Sequence, residues 1–248
     1  MTLKGMGILQ DKKAEAVHNM LQLLEITADE EQKEQLILYV SVLCEGLKGK
    51  RLTGEKTVEG IIYRQIYDSL YLLKIKQFCP GSKVVDVGSG GGIPGIPIKI
   101  MLPDLNICMI EANRKKSAFI RQVSAELGLQ NTEVCRERVE ETGHKKDHRG
   151  QYDAAVCKAL SAIDVLAEVC LPLVKIEGEV IFYKGPAGEK EILEAKKALK
   201  ECGGQLIGKN NYVLPGGEAR TIYRIKKIKA TPDIYPRAVG KPFKNPIR

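Results

Sequence analysis

The sequence predicts an α/β fold: a mostly parallel sheet with helices on both faces, preceded by a helical module. Two observations predict it. Apolar residues recur at helical spacing up to about residue 76, and beyond that point short β-type runs alternate with helical stretches. A third observation, a glycine-dense turn directly after the first of those runs, marks the end of the sheet where ligands bind.

Taken in order, Leu9, Val17, Met20, Leu21 and Leu24 form one apolar stripe, and Leu36, Ile37, Val40, Leu43 and Leu47 another. Thr27 and Glu30 have the spacing of a capping box ahead of the second helix. Val58, Ile61, Ile62, Ile66 and Leu70 predict a third helix running into Leu73. Turn chemistry at Cys79, Pro80 and Gly81 then precedes a buried strand at 83–87. A second strand is expected at 107–110, followed by a helix capped by Asn113, facing inward with Ala118, Phe119, Val123 and Leu127, and ended by Gly128. Further strands are expected at 132–135, 153–157 and 179–183, with helices at about 161–174 and 188–201. The resulting division is a helical module (1–76), a ligand-binding domain (77–230) and a basic, proline-containing tail (231–248).

A chain of 248 residues that is 44% apolar can bury one full α/β core. Four Phe, nine Tyr and no Trp argue against a surface of repeated base-stacking aromatics. The seven cysteines lie at least 13 residues apart and mostly among apolar neighbours, as expected of reduced core thiols. With neither a charged-then-apolar leader nor a membrane-length apolar run, the expected location is the cytoplasm. From Ala219 onward nine basic residues face one acid, Asp233, which accounts for the whole net charge of +8. A basic segment of this kind suits a polyanion, although a solvated strand and tail would have the same composition.

The residues from Asp86 to Gly95 are Asp-Val-Gly-Ser-Gly-Gly-Gly-Ile-Pro-Gly. Read from Gly90, the string matches Gly-x-Gly-x-x-Gly through Gly92 and Gly95, the pattern of a dinucleotide enzyme. That match starts four residues after Asp86 and contains Pro94; anchored at the strand end on Gly88, it fails at Ile93. Asp86 would repel a pyrophosphate but attract the sulfonium and ammonium of S-adenosyl-L-methionine. Glu111, 23 residues after Gly88 at the end of the second strand, stands where an acceptor for two ribose hydroxyls belongs.

Three strings carry a family resemblance: Val85-Asp-Val-Gly-Ser-Gly-Gly-Gly-Ile-Pro-Gly-Ile-Pro97, Ile110-Glu-Ala-Asn-Arg-Lys-Lys-Ser-Ala-Phe-Ile120 and Arg138-Val-Glu-Glu141. With Arg64-Gln-Ile-Tyr-Asp-Ser-Leu70 before them and Tyr235-Pro-Arg-Ala-Val-Gly-Lys-Pro-Phe-Lys-Asn-Pro246 after, the chain from about residue 55 resembles the RsmG (GidB) family of bacterial 16S rRNA guanine-N7 methyltransferases. The resemblance implies a class I S-adenosyl-L-methionine-dependent methyltransferase fold, Rossmann-like, with a seven-stranded sheet whose last strand is antiparallel. It implies that Asp86, Gly88, Ser89 and Gly90 line the methionine end of the cofactor, that Glu111 holds the ribose, and that Val139 and Glu140 meet the adenine. Lys158 would position substrate, and Arg237, Lys241 and Lys244 of the tail would contact RNA, the partner being 16S rRNA, the small ribosomal subunit or an assembly particle. Two positions depart from the family's usual residues: Gln65 stands in place of His, and Lys158 in place of Arg.

Guanine N7 has a free lone pair, so the expected methyl transfer needs alignment rather than a general base. No Asn-Pro-Pro-Tyr, Asp-Pro-Pro-Tyr or Pro-Cys string points to amino-group or cytosine-C5 chemistry. Two other classes stay open: a nicotinamide-dependent oxidoreductase using Gly90, Gly92 and Gly95, and an inactive methyltransferase-like RNA-binding protein. His144 and His148, with Asp147, have metal-ligand spacing, but Lys145, Lys146 and Arg149 around them disfavour a dication, and no metal is expected.

Overall fold

The structure, a computed structural model, describes residues 3–46, 54–55 and 57–248, the side chains of 3–10 and 46 excepted. The expected core side chains of Leu9 and Leu47 fall outside the described residues. Helices α1 (Leu3–Leu24) and α2 (Glu30–Gly46) bury Val17, Met20, Leu21 and Leu24 with Leu36, Tyr39, Val40 and Leu43. The capping box lies two residues later than the Thr27–Glu30 spacing predicts. Asp29 Oδ1 accepts the Gln32 N–H at 2.8 Å, and the Asp29 N–H donates to Gln32 Oε1 at 3.1 Å. The Gln32 amide also donates to the carbonyls of Ile100 and Met101, at 3.2 and 3.3 Å, a tertiary contact that favours this register. The third helix, α3, is composite: π-helical over Gly60–Tyr67, α-helical over Asp68–Leu70 and 3-10 over Tyr71–Lys74.

The strands are β1 (Lys83–Val87), β2 (Asn106–Ile110), β3 (Thr132–Cys135), β4 (Tyr152–Lys158), β5 (Val174–Lys184), β6 (Gly204–Val213) and β7 (Ala219–Lys227), in the order β3-β2-β1-β4-β5-β7-β6. Strands β1 to β5 pair in parallel, and β7 runs antiparallel to both neighbours. Successive side chains alternate between two cores. Val84, Ile107, Met109, Ala154, Val156 and Ile181 share one core with α1, α2, α3, α4 (Gly95–Met101) and α5 (Arg114–Glu126). Val85, Cys108, Ala155, Cys157, Val180 and Phe182 share the other with α7 (Ile163–Cys170), α8 (Gly188–Glu194) and α9 (Lys196–Cys202). The short helix α6 (Val139–Thr142) follows β3. The helical module is therefore continuous with the first core.

Asn113 caps α5 as expected, accepting the N–H groups of Lys115 and Lys116. Of the expected inward face, Val123 and Leu127 are buried and Phe119 packs half-buried against the core, while Ala118 is exposed; Ser117, Ile120 and Ser124 are buried as well. Strands β6 and β7 were not marked by apolar alternation, because β6 is a largely exposed edge and β7 interleaves its buried residues with basic ones.

Those basic residues are largely neutralised from within. Arg224 makes two hydrogen bonds to Glu179 at 2.8 and 3.0 Å, Lys226 pairs with Glu177 at 2.6 Å, and Lys227 donates to the Val174 carbonyl at 2.7 Å. The tail is strapped down by the same means. Arg149 donates to the carbonyls of Thr231, Pro232 and Tyr235, the Tyr235 hydroxyl donates to Glu201, and Arg248 pairs with Asp164. Arg237 grips the fully buried Glu168 through Nε at 2.9 Å and a terminal nitrogen at 2.7 Å. Arg237→Ala strands that carboxylate, so urea unfolding is expected to show a loss of about 3 kcal/mol.

Candidate cofactor and substrate site

At the carboxyl ends of β1 and β2 the glycine turn is drawn tight by the backbone. The N–H groups of Gly88 and Ser89 both donate to Ile110 O, and those of Gly92 and Ile93 to Ser89 O. Gly88, Gly90 and Gly92 have φ of +74°, +60° and +91°, which side-chain-bearing residues adopt only with strain. Around Gly90 the nearest atom to an added Cβ is 3.9 Å away, so a ligand can approach the backbone there, whereas Leu160 leans over Gly88.

Asp86 lies beneath this turn, buried on the face of the helical module. Its Oδ2 accepts the N–H of Gly95, the first residue of α4, at 3.0 Å, and its Oδ1 has no hydrogen-bond partner. This decides against the dinucleotide reading. The N-terminus on which a pyrophosphate would rest already holds a carboxylate, and Pro94 and Pro97 have no N–H to offer. Glu111 braces the turn from β2: Oε2 accepts from Gly90 N–H at 2.9 Å and Oε1 from Asn113 N–H at 2.7 Å. Each oxygen keeps acceptor capacity for a ribose hydroxyl. An unfilled buried carboxylate oxygen, an open glycine backbone and a braced carboxylate with spare acceptor capacity fit S-adenosyl-L-methionine.

Burial pushes the Asp86 carboxyl up to about 7, against the lowering effect of the Gly95 hydrogen bond and the nearby Ser89 hydroxyl. Because the folded-state value is raised, the carboxyl favours folding while protonated. Its contribution is fully present below the unfolded value of about 4 and is lost as pH rises toward 7. A cationic cofactor favours the ionised form. Its affinity is thus expected to fall about tenfold per pH unit below 7, and titration calorimetry from pH 5 to 8 should find that slope abolished in Asp86→Asn.

Val139 is buried beside β3, but the Glu140 side chain turns to the tail, accepting the Gly240 N–H at 2.8 Å. Of the expected adenine contacts, Glu140 thus has one carboxylate oxygen holding Gly240. That bond sets α10 (Lys241–Lys244), with Lys241 and Lys244 exposed, beside α6. Arg237 is engaged with Glu168 as described. The imidazoles of His144 and His148 take separate partners, the Pro236 carbonyl and the Tyr152 hydroxyl.

Next to the turn, at the ends of β4 and β5, a cleft of about 530 Å³ is lined by Arg64, Gln65, Asp68, Lys158, Lys184 and Arg220, among others. The Lys158 ammonium is saturated: it donates to Arg64 O at 3.0 Å and Gln65 Oε1 at 2.7 Å and pairs with Asp68 at 3.1 Å. Its pKa is lowered, burial outweighing the Asp68 charge. Both departures from the family pattern, Gln65 and Lys158, are thus hydrogen-bonded to each other. Asp68 is further held by the Tyr212 hydroxyl. The sequence reading missed Asp68, Tyr212, Arg220 and Leu160. Asp68 lay in a quoted string as an unremarked acid, Arg220 was one charge among nine, and Tyr212 and Leu160 carry no local signal.

Solved structures share the sheet and its crossovers. TrmN from Thermus thermophilus aligns with TM-score 0.52 at 16% identity, over 65% of this chain and 48% of that one. A single-substitution mutant of the 16S rRNA (adenine(1408)-N(1))-methyltransferase from Catenulisporales acidiphilia aligns with TM-score 0.50 at 15% identity, over 63% of this chain and 87% of that one. The strand order, the acid-and-glycine turn and Glu111 define a class I S-adenosyl-L-methionine-dependent methyltransferase. A family model described as rRNA small subunit methyltransferase G matches residues 32–212. The proteins of that name from Alkaliphilus oremlandii and Lachnoclostridium phytofermentans are 38% and 39% identical, each over 92% of this chain and 95% and 94% of their own. The chain belongs to the rRNA small subunit methyltransferase G family.

Proposed function

We propose that this chain transfers the methyl group of S-adenosyl-L-methionine to N7 of a guanine in 16S rRNA, presented in the small subunit or an assembly particle. The observation that carries the reading is the cleft beside the turn, where cations are plentiful and every lining carboxylate is engaged. Asp68 is held by Lys158, Glu191 by Lys184 at 2.8 Å, and Glu55 by Arg64 and Gln65, both at 3.4 Å. A site without an uncommitted base suits a nucleophile with a free lone pair. The bound cofactor supplies an electrophilic methyl. The chain's residues orient it and shield the site: Asp86 and Glu111 hold the two ends, and Leu160 covers the turn.

Lys158 acts in this reading as a wall strut that fixes Gln65 and Arg64. Phosphate contacts fall to Arg220, whose guanidinium, among the described residues, donates to its neighbour's carbonyl alone, and to Lys241 and Lys244. Seven free cysteines, five of them buried, support a reducing compartment and hence the cytoplasm. Among the described residues no helix is long and apolar enough to cross a membrane. The test incubates the purified protein and S-adenosyl-L-methionine with small subunits and with naked 16S rRNA, then maps N7-methylguanine by borohydride and aniline cleavage. One new cleavage site is expected; methyl incorporation without cleavage, or none at all, would overturn the reading.

A further inference from the structure

Three polar side chains on one face of α2, spaced three and four residues apart, each donate to a backbone carbonyl of the cofactor domain. Gln32 reaches Ile100 and Met101, at the end of α4; Gln35 reaches Leu127, which closes α5, at 2.8 Å; Tyr39 reaches Gly91 at 2.7 Å. The first two complete helix ends, a structural task. The third falls inside the cofactor turn, one residue from Gly90 and three from Gly88. We propose that Tyr39 is a positioning residue for the cofactor, making α2 part of the S-adenosyl-L-methionine site.

The physical reason lies in the turn itself. Three of its residues are glycines at positive φ, which adopt either hand of φ at little cost, so their own stereochemistry does not fix the backbone. Gly88, Ser89, Gly92 and Ile93 are held through backbone bonds and Gly90 by Glu111. Among the described residues, the Gly91 carbonyl is held by Tyr39 alone. The phenol is wholly buried, and burial together with the nearby Asp86 charge keeps it protonated and donating. Its oxygen also stands 3.3 Å from the place of a Gly92 Cβ, so the ring defines one wall of the turn.

The inference rests on the cofactor and not on the target base, so it stands or falls apart from the rRNA reading. Its test compares Tyr39→Phe, which deletes only the hydroxyl, with Gln35→Ala, using calorimetric titration of S-adenosyl-L-methionine well below the melting temperature, alongside thermal melts. Tyr39→Phe is expected to weaken cofactor binding roughly threefold to tenfold, the range one neutral hydrogen bond spans. Gln35→Ala is expected to lower the melting temperature at unchanged cofactor affinity. Wild-type affinity in Tyr39→Phe, or an equal loss of affinity in both variants, would overturn the proposal.

Discussion

Glu111→Ala is expected to weaken S-adenosyl-L-methionine binding about a hundredfold, or roughly 3 kcal/mol. The size follows from the carboxylate's three tasks. It accepts the N–H of Gly90 and the N–H of Asn113, and in the proposed site it would also accept from the ribose hydroxyls. Removing it strips the brace from the turn and the anchor from the ligand together. Glu111→Gln should recover part of the loss, since the amide oxygen still accepts while its NH2 group cannot. Calorimetry decides the matter: affinity within threefold of wild type in Glu111→Ala would remove Glu111 from the ribose site.

Asp68→Ala should cost about 3 to 5 kcal/mol of folding stability, the penalty for leaving one member of a buried ion pair alone. Asp68 is 2% exposed and the Lys158 side chain 9%, and the substitution also takes the acceptor from the Tyr212 hydroxyl. The pH dependence identifies the cause. The Lys158 amine is already lowered by burial, and without the Asp68 charge it falls further. The folded-state value then lies below the unfolded one, about 10.4. Stability lost at neutral pH should therefore return as pH rises toward that value, reversing the neutral-pH deficit in urea melts at pH 9.5. A deficit independent of pH would assign the loss to packing or to Tyr212 instead.

Much of the fold was legible because a buried parallel strand is a short apolar run and a strand-ending glycine turn has little other use. The first strand, the Asn113 cap and the turn from Asp86 to Gly95 stand where residue chemistry placed them. The capping box was ambiguous because two overlapping pairs have the same spacing, and the contact between Gln32 and the end of α4 favours Asp29. Charge was the weakest guide. The basic residues after Ala219 suited either a polyanion-binding segment or a solvated strand and tail, yet Arg224, Lys226, Arg237 and Arg248 spend their charges on Glu179, Glu177, Glu168 and Asp164.

By itself the sequence determined the layered α/β class, the position of the cofactor turn, and the acids at 86 and 111, because each rests on local periodicity or on residue types within one loop. The tertiary structure alone decided which groups meet across the fold: Tyr39 on Gly91, Gln65 on Lys158, Glu140 on Gly240. Those pairs are separated by 52, 93 and 100 residues. A hydrogen bond at such a distance leaves no periodic trace in the chain, since its geometry is set by how the helices and sheet pack rather than by the residues beside it.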